Sequence, residues 1–457
     1  MSPRTPDETV VPMRVGVIGT GHVGLITCTS LAAVGHHVVG CDADPEKVSA
    51  LVDGSMPFHE PGVEDLLKAH LADGRLRFTT ETAQAVKGAD VVFICVGTPP
   101  RASGEANLLA VEQAAREIAR AATGPLVVVE KSTVPAGTAA RVQRTLVLER
   151  PDLAETLDVV SNPEFLREGQ ALQDAMHPDR ILVGASSRRA FVVMRRLYEP
   201  FMADEARLME TDITSAELAK HASNAFLALK ISFANALARL CEASGADVEA
   251  VTGVMGADPR IGPEFLHAGL GFGGYCFPKD LVAFERLAQR LGYPFPMLAE
   301  VARINDEAIE AALGKVRDAL WNLEGKRIAL LGLSFKPDTD DVRFSPALAL
   351  ARRLLVEGAR VVGYDPVAGA MAKQEIPELE LAENAYEAAR DSHCVVVCTA
   401  WDELRELDLA KLGELVAFKI VVDGRNLLDA ATVVEAGFSY HPMGRPGQSP
   451  PMGGSHA

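Results

Sequence analysis

The residues best equipped for chemistry lie together in Gly271-Phe272-Gly273-Gly274-Tyr275-Cys276-Phe277-Pro278-Lys279-Asp280. One cysteine stands between a glycine cluster and a Lys-Asp pair. Glycines carry no Cβ and accept positive φ, so backbone can close on a ligand. A nearby lysine favours the thiolate, which is the reactive form of cysteine. An aspartate a few residues on can act as a base or orient water. Taken alone, the segment also fits a glycine turn around a buried, inert thiol, because free cysteine is among the most buried residue types.

Other clusters extend the list. Glu164 and Glu168 lie four apart in Ser161–Gly169, a spacing that shares one face of a helical turn. One would serve as acid/base and the other as a ligand contact, or both would form a solvated acidic face. Lys220 and Asn224 are also four apart. An ammonium beside a carboxamide can stabilise an oxyanion; an exposed helix lysine is the plain alternative. Gly19-x-Gly21-x-x-Gly24 follows a short apolar run and opens an apolar helix, with Asp42 about twenty residues on. A helix N-terminus there would hold a pyrophosphate. Asp42 would meet ribose hydroxyls and repel a 2′-phosphate, which points to NAD rather than NADP.

Positioning these groups requires an α/β chain. Strand-like runs 13–18, 37–40, 90–96, 125–129 and 157–160 alternate with helical stretches. Thr214–Ser244 holds neither Pro nor Gly. Its apolar positions Leu218, Ala222, Leu229, Phe233, Leu237 and Leu240 recur near helical period. Thr214 and Glu217 have capping-box spacing, and Gly245 fits the stop. The helix would be roughly 45 Å long. A second alternation follows, through 327–332, 345–357, 360–365 and 394–399. It lacks the glycine fingerprint, so a second dinucleotide is not expected; Lys336 there could meet a phosphate. The expectation is two Rossmann-like, doubly wound parallel-sheet domains joined by a long central helix. The expected divisions are a flexible tail 1–12, a dinucleotide-binding domain 13–208, a central helical region 209–312 that includes the Cys276 loop, a C-terminal Rossmann-like domain 313–440 and a disordered tail 441–457.

Composition narrows the class. The 457 residues are 48% hydrophobic and 23% charged, ordinary for a globular protein. No apolar run reaches the roughly 18 residues of a membrane helix, and 1–12 does not read as a secretory signal. A net charge of −17 disfavours nucleic acid and anionic membranes as partners. Seven scattered cysteines lack metal-ligand spacing and fit a reduced, cytoplasmic setting, with no metal expected.

Nine motifs in order resemble the UDP-glucose/GDP-mannose 6-dehydrogenase family, nearest its UDP-glucose members, over residues 13–440. They are Gly19-Thr20-Gly21-His22-Val23-Gly24, Val96–Pro100, Glu130–Pro135, Ser161–Gly169, Lys220–Asn224, Asp258–Gly262, Gly271–Asp280, Phe335–Thr339 and Asp423–Asn426. The resemblance implies four-electron oxidation of UDP-glucose to UDP-glucuronate with two NAD and one water. Cys276 matches the nucleophile that forms a thiohemiacetal and then a thioester. Lys220 and Asn224 match oxyanion-stabilising residues, and Asp280 matches the carboxylate that orders water. Glu164 matches an acid/base, and Thr133 a residue near the reacting hydroxyl. Implied cofactor contacts are Gly19, Gly21, His22, Val23, Gly24, Asp42, Lys47, Thr98, Ser132, Thr133, Glu168, Lys279 and Arg343. Implied substrate contacts are Glu164, Phe165, Leu166, Arg167, Glu168, Lys220, Asn224, Arg260, Gly269, Gly271, Phe272, Gly273, Phe335, Lys336 and Arg425. The resemblance further implies a homodimer in which Arg260 reaches the neighbouring subunit's substrate.

Four positions depart from the family pattern. Tyr275 stands where serine is usual, Phe344 where an acid is usual, His22 for tyrosine and Asn107 for aspartate. GDP-mannose or a UDP-N-acetylhexosamine stays open as the sugar nucleotide, and a non-catalytic nucleotide-sugar-binding protein stays open as a class.

Overall fold

Val15–Ile18 is buried at every position, as a strand covered on both faces of a parallel sheet must be. The computed structural model describes residues 11–202 and 207–450. They fall into two compact units, Met1–Ser223 and Asn224–Ala457.

The first unit is built on eight strands: β1 Arg14–Ile18, β2 His37–Cys41, β3 Leu76–Thr79, β4 Val91–Ile94, β5 Leu126–Glu130, β6 Leu157–Ser161, β7 Arg180–Ala185 and β8 Arg207–Thr211. Their spatial order is β3-β2-β1-β4-β5-β6-β7-β8. All neighbours pair in parallel except β6 and β7, which meet antiparallel through Val160–Ala185 and Ser161–Gly184. The sequence reading had no antiparallel pair. The order reverses between β1 and β4, and ligands of such sheets bind beyond the strand C-termini at that reversal. Two apolar clusters cover the faces, one around Val17, Leu25 and Phe93, the other around Val92, Ile118 and Val128.

The second unit carries β9 Arg327–Leu331, β10 Arg360–Tyr364, β11 Glu380–Leu381, β12 Cys394–Val397, β13 Ile420–Asp423 and β14 Ser439–Pro442. The order is β11-β10-β9-β12-β13-β14, all parallel, again with a reversal beside the first strand. The segment from His441, expected to lack structure, is ordered as far as Pro450. β14 runs to Pro442, Met443 is 3% exposed, and Tyr440 and Gln448 exchange backbone hydrogen bonds. The Asn426 carboxamide fixes the Met443 amide and carbonyl, which a Gly/Pro-rich composition gave no sign of.

The long helix spans Ile213–Ser244, and Gly245 ends it at φ +77°. Its start differs from the expected capping box. Asp212 accepts from the Ser215 amide at 2.9 Å and caps the helix. Glu217 instead accepts from the amides of Gly137 and Ala139, at 2.6 and 2.7 Å, capping the Thr138–Glu149 helix. The buried face of the long helix is made of small and polar residues, among them Ala228, Ser232, Ala234 and Ala238. Of the apolar positions recurring along it, Leu218, Phe233 and Leu240 are 39%, 47% and 65% exposed.

Candidate active site

In the first unit, the turn after β1 is shaped by backbone proximity. Gly19 sits at φ +94°. A Cβ on Gly24 would lie 1.8 Å from the Gly19 carbonyl oxygen, so the helix can pack this close only with glycine there. A Cβ on Gly21 would meet nothing within 4 Å, which leaves room for a ligand. Gly21 caps the His22–Ala33 helix without a side-chain hydrogen bond and with no acid in the first turn. Such an end suits a pyrophosphate. Val23 packs against the core behind it.

Asp42, at the end of β2, accepts from the Thr20 amide at 2.9 Å and from Lys47 Nζ at 2.9 Å. Burial opposes its charge, but Lys47 and the backbone donors hold its carboxyl below the usual range. Beyond β4 and β5, Thr98 Oγ1 donates to the Thr133 carbonyl, and Ser132 Oγ donates to the carbonyls of Ile94 and Val96. Residues 98, 132 and 133 thus form one edge of the sheet's C-terminal end.

The Ser161–Gly169 segment is not helical, contrary to the shared-face reading of its glutamates. Pro163 disfavours helical backbone at Asn162, and Gly169 takes φ +77°. Glu164 instead turns inward. Its Oε1 accepts from Lys220 Nζ at 3.0 Å and its Oε2 from the Leu166 amide at 2.6 Å. The Glu164 and Lys220 side chains are 7% and 4% exposed, so the exposed-lysine alternative fails. The Phe165 ring lies 4.0 Å under the Arg180 guanidinium and 5.4 Å from Lys220 Nζ. Leu166 packs beside Ile26 and Val63. Arg167 is held by Asp174 at the surface.

A residue that sequence spacing missed organises this loop. Glu60 accepts from the Gly169 and Ala171 amides, both at 2.7 Å, and lies 2.9 Å from His22 Nε2. It is 38 residues from His22 and 109 from Gly169, so no local pattern announces it.

In the second unit, Cys276 begins the helix Cys276–Arg290. Cys276 and Asp280 stand four apart, on one helix face. Asp280 is 1% exposed; its Oδ2 accepts from Asn224 Nδ2 and its Oδ1 from Lys279 Nζ, each at 2.6 Å. Lys279, expected at the cofactor, is thus engaged by Asp280. None of the seven cysteines is in a disulfide; six are buried, and Cys276 is partly buried. Burial pushes the thiols of Cys95, Cys394 and Cys398 up to about 12.

The glycine turn is tied down by remote carboxamides and an arginine. Asn235 Oδ1 accepts from the Gly269 amide, and Asn305 exchanges two hydrogen bonds with the Phe272 backbone. Arg425 donates from Nη1 to the Gly271 carbonyl at 3.1 Å and from Nε to the Cys398 carbonyl at 2.7 Å. Cβ atoms on Gly273 and Gly274 would lie 2.4 Å from the Phe344 carbonyl oxygen and 2.8 Å from the Phe335 ring. Lys336 follows Phe335, its Nζ 6.0 Å from that ring. Arg343 is gripped by Asp341, from Nε at 2.9 Å and Nη2 at 2.6 Å. Phe344, with φ +52°, is 57% exposed. Arg260 is 87% exposed and pairs with Asp258.

Asp365, at the end of β10, mirrors Asp42 in position but not in use. It accepts from the amides of Leu333, Ser334, Val367 and Ala368 and from Trp401 Nε1. Its oxygens brace the turn, consistent with the missing fingerprint in this half.

Comparison with known proteins matches three models along the chain: the UDP-glucose/GDP-mannose dehydrogenase family's NAD binding domain over 13–202, its central domain over 214–307 and its UDP binding domain over 329–430. The chain belongs to the UDP-glucose/GDP-mannose dehydrogenase family. It is 44% identical over 438 residues to a UDP-glucose 6-dehydrogenase of Rhizobium meliloti, covering 95% of this chain and 100% of that one. It is 42% identical over 434 residues to UDP-glucose 6-dehydrogenase TuaD of Bacillus subtilis, covering 95% and 93%. The solved UDP-glucose dehydrogenase of Pyrobaculum islandicum is 40% identical and superposes with a TM-score of 0.86 over 93% of this chain and 96% of that one. The family member described here is an NAD-dependent oxidoreductase, and the open Gly21 turn fits that cofactor. Among the described residues no helix is long and apolar enough to cross a membrane.

Proposed function

We propose that this chain oxidises UDP-glucose to UDP-glucuronate through Cys276, consuming two NAD and one water, in the cytoplasm. One observation carries the reading. Cys276 alone among seven cysteines escapes full burial, on the same helix face as a carboxylate held at both oxygens. The curated relatives named for UDP-glucose support the choice of sugar.

The cofactor, when bound, accepts a hydride in each of two oxidations, alcohol to aldehyde and thiohemiacetal to thioester. The Gly19–Gly24 turn, Asp42, Lys47 and the Thr98, Ser132 and Thr133 edge would hold it, with Glu168, Lys279 and Arg343 as further contacts. Between the oxidations, Cys276 Sγ adds to the aldehyde carbon and forms a C–S bond. Covalent capture retains the aldehyde and divides a hard oxidation into two steps. Lys220 and Asn224 donate to the oxygen that gains charge. Asp280 orients the water that attacks the thioester. Glu164 takes a proton from that water, the C–S bond breaks, and the carboxylate leaves as the thiolate is restored.

Substrate contacts are assigned to Glu164–Glu168, Arg260, the Gly269–Gly273 turn, Phe335, Lys336 and Arg425. We also assign the chain to a homodimer. Phe226, Phe233 and Leu240 recur every seven residues on the long helix and are 61%, 47% and 65% exposed. An apolar stripe of this kind marks a protein contact rather than a solvent face. In that reading the exposed Arg260 serves the neighbouring subunit's substrate.

The deciding experiment is the NADH yield per sugar with limiting UDP-glucose, GDP-mannose and UDP-N-acetylhexosamines in parallel. About two NADH per UDP-glucose are expected, as two hydride transfers require. One NADH per sugar with free aldehyde would refute the covalent route, and preference for another nucleotide sugar would refute the substrate.

A further inference from the structure

Tyr275 precedes the candidate nucleophile and stands where the family resemblance places serine. Its ring has a defined partner. The Arg343 guanidinium carbon lies 4.4 Å from the ring centroid. Lys279 Nζ lies 5.6 Å from the same centroid. Both distances fall within the range in which the negative ring face attracts a cation.

Arg343 is constrained from its other sides as well. Asp341, 8% exposed, takes two of its guanidinium nitrogens, and the Gly274 amide donates to the Arg343 carbonyl at 3.0 Å. Backbone, carboxylate and ring therefore hold one arginine side chain that is still 48% exposed. A long flexible side chain loses substantial rotamer entropy when a ligand orders it. A side chain ordered in advance by a ring and a carboxylate has already met that cost.

We propose that Tyr275 is a positioning residue for the cofactor: its ring face fixes Arg343 in the orientation from which the guanidinium meets the anionic dinucleotide. The inference rests on the reading of Arg343 as a cofactor contact. It also accounts for a tyrosine beside the nucleophile. The ring serves the arginine, and Cys276 chemistry does not require it.

The test compares Tyr275→Phe, which keeps the ring face, with Tyr275→Leu, which keeps bulk without it. Tyr275→Ser is a second ring-free variant should the leucine protein not fold. NADH affinity is read by fluorescence titration without substrate, and steady-state kinetics are read separately for NAD and UDP-glucose. The ring-free variants should weaken NADH binding and raise the NAD KM by about three- to tenfold. The phenylalanine variant should stay within about twofold of wild type. The UDP-glucose KM should hold, and kcat at saturating NAD should change less than the NAD KM. In an Arg343→Gln background, Tyr275→Leu should add no further loss.

Equal NADH affinity in wild type and both ring-free variants would overturn the proposal. So would a loss in Tyr275→Phe as large as in Tyr275→Leu, or a full loss persisting without Arg343. A drop in kcat with an unchanged NAD KM would overturn it by assigning the ring to Cys276. Wild-type protein that binds NADH but oxidises no nucleotide sugar would defeat the functional reading instead, while the titrations still decide the role of Tyr275.

Discussion

Asn224 donates from Nδ2 to Asp280 Oδ2 at 2.6 Å, while Lys279 holds the other oxygen. This clamps a buried carboxylate one helical turn from Cys276. If Asp280 orients the hydrolytic water, Asp280→Asn should slow turnover by about 100-fold or more. The thioester should then accumulate, giving a burst of NADH and a sugar adduct visible by intact-protein mass spectrometry. Slow turnover without an adduct would place Asp280 in an earlier step.

Iodoacetamide at neutral pH should modify Cys276 before any other cysteine, because the others are buried and thiolate formation at Cys95, Cys394 and Cys398 is suppressed by burial. Peptide mapping after brief exposure checks this. Cys276→Ser should remove the fast-reacting site and stop release of the acid.

His22 and Glu60 should make stability depend on pH. Burial opposes the His22 charge, but the Glu60 hydrogen bond and the fields of Glu168, Glu60 and Glu164 outweigh it, so its pKa is raised. The unfolded histidine titrates near its ordinary value, about 6.5. The pair's contribution is complete below that pH and is lost as pH rises through the higher folded value. The Tm gap between wild type and His22→Gln should be widest at about pH 5.5 and narrow toward alkaline pH. A constant gap would show that His22 acts through packing alone.

Glu130 also makes stability fall as pH rises, but from burial of a neutral carboxyl rather than from an ion pair. Burial pushes its carboxyl up to about 8, and Glu217 adds to the shift. The folded chain therefore holds a proton that the unfolded chain releases at its ordinary, lower pKa. Stability falls as pH rises from that lower value through about 8. Glu130→Gln should melt above wild type at alkaline pH and close to it at about pH 4.5, by differential scanning fluorimetry. Equal melting at alkaline pH would contradict a buried, protonated Glu130.

The stripe Phe226, Phe233 and Leu240 should hold two chains together. Phe233→Glu should shift the mass by light scattering toward a monomer. If Arg260 serves the neighbouring subunit, activity should fall in parallel. An unchanged mass would assign the stripe another role.

Much of the candidate site was legible in the chain itself. A strand, glycine turn, helix and terminal acid need only local spacing, so Gly19–Gly24 and Asp42 could be read directly. Lys220 and Asn224 share a face because a helix repeats every 3.6 residues, whereas Cys276, read in a loop, proved to begin the helix that also carries Asp280. The local rule failed at Glu164 and Glu168, where Pro163 and Gly169 override helical spacing. Along the long helix the apolar period gave the helix itself, but period alone does not tell an inward face from an outward one.

What only the tertiary structure decided are the partners brought together from far along the chain. Glu217 caps a helix 80 residues earlier, Glu60 links His22 to Gly169, and Asn305 secures Phe272. Tyr275, opaque in sequence, meets the Arg343 guanidinium through its ring face. Backbone conformation depends largely on neighbours within a few residues, so the sequence by itself determined most of the strands and helices, the glycine turn at 19–24 and which groups are candidates for chemistry. Which charge neutralises which, and which ring faces which cation, depends on packing between elements.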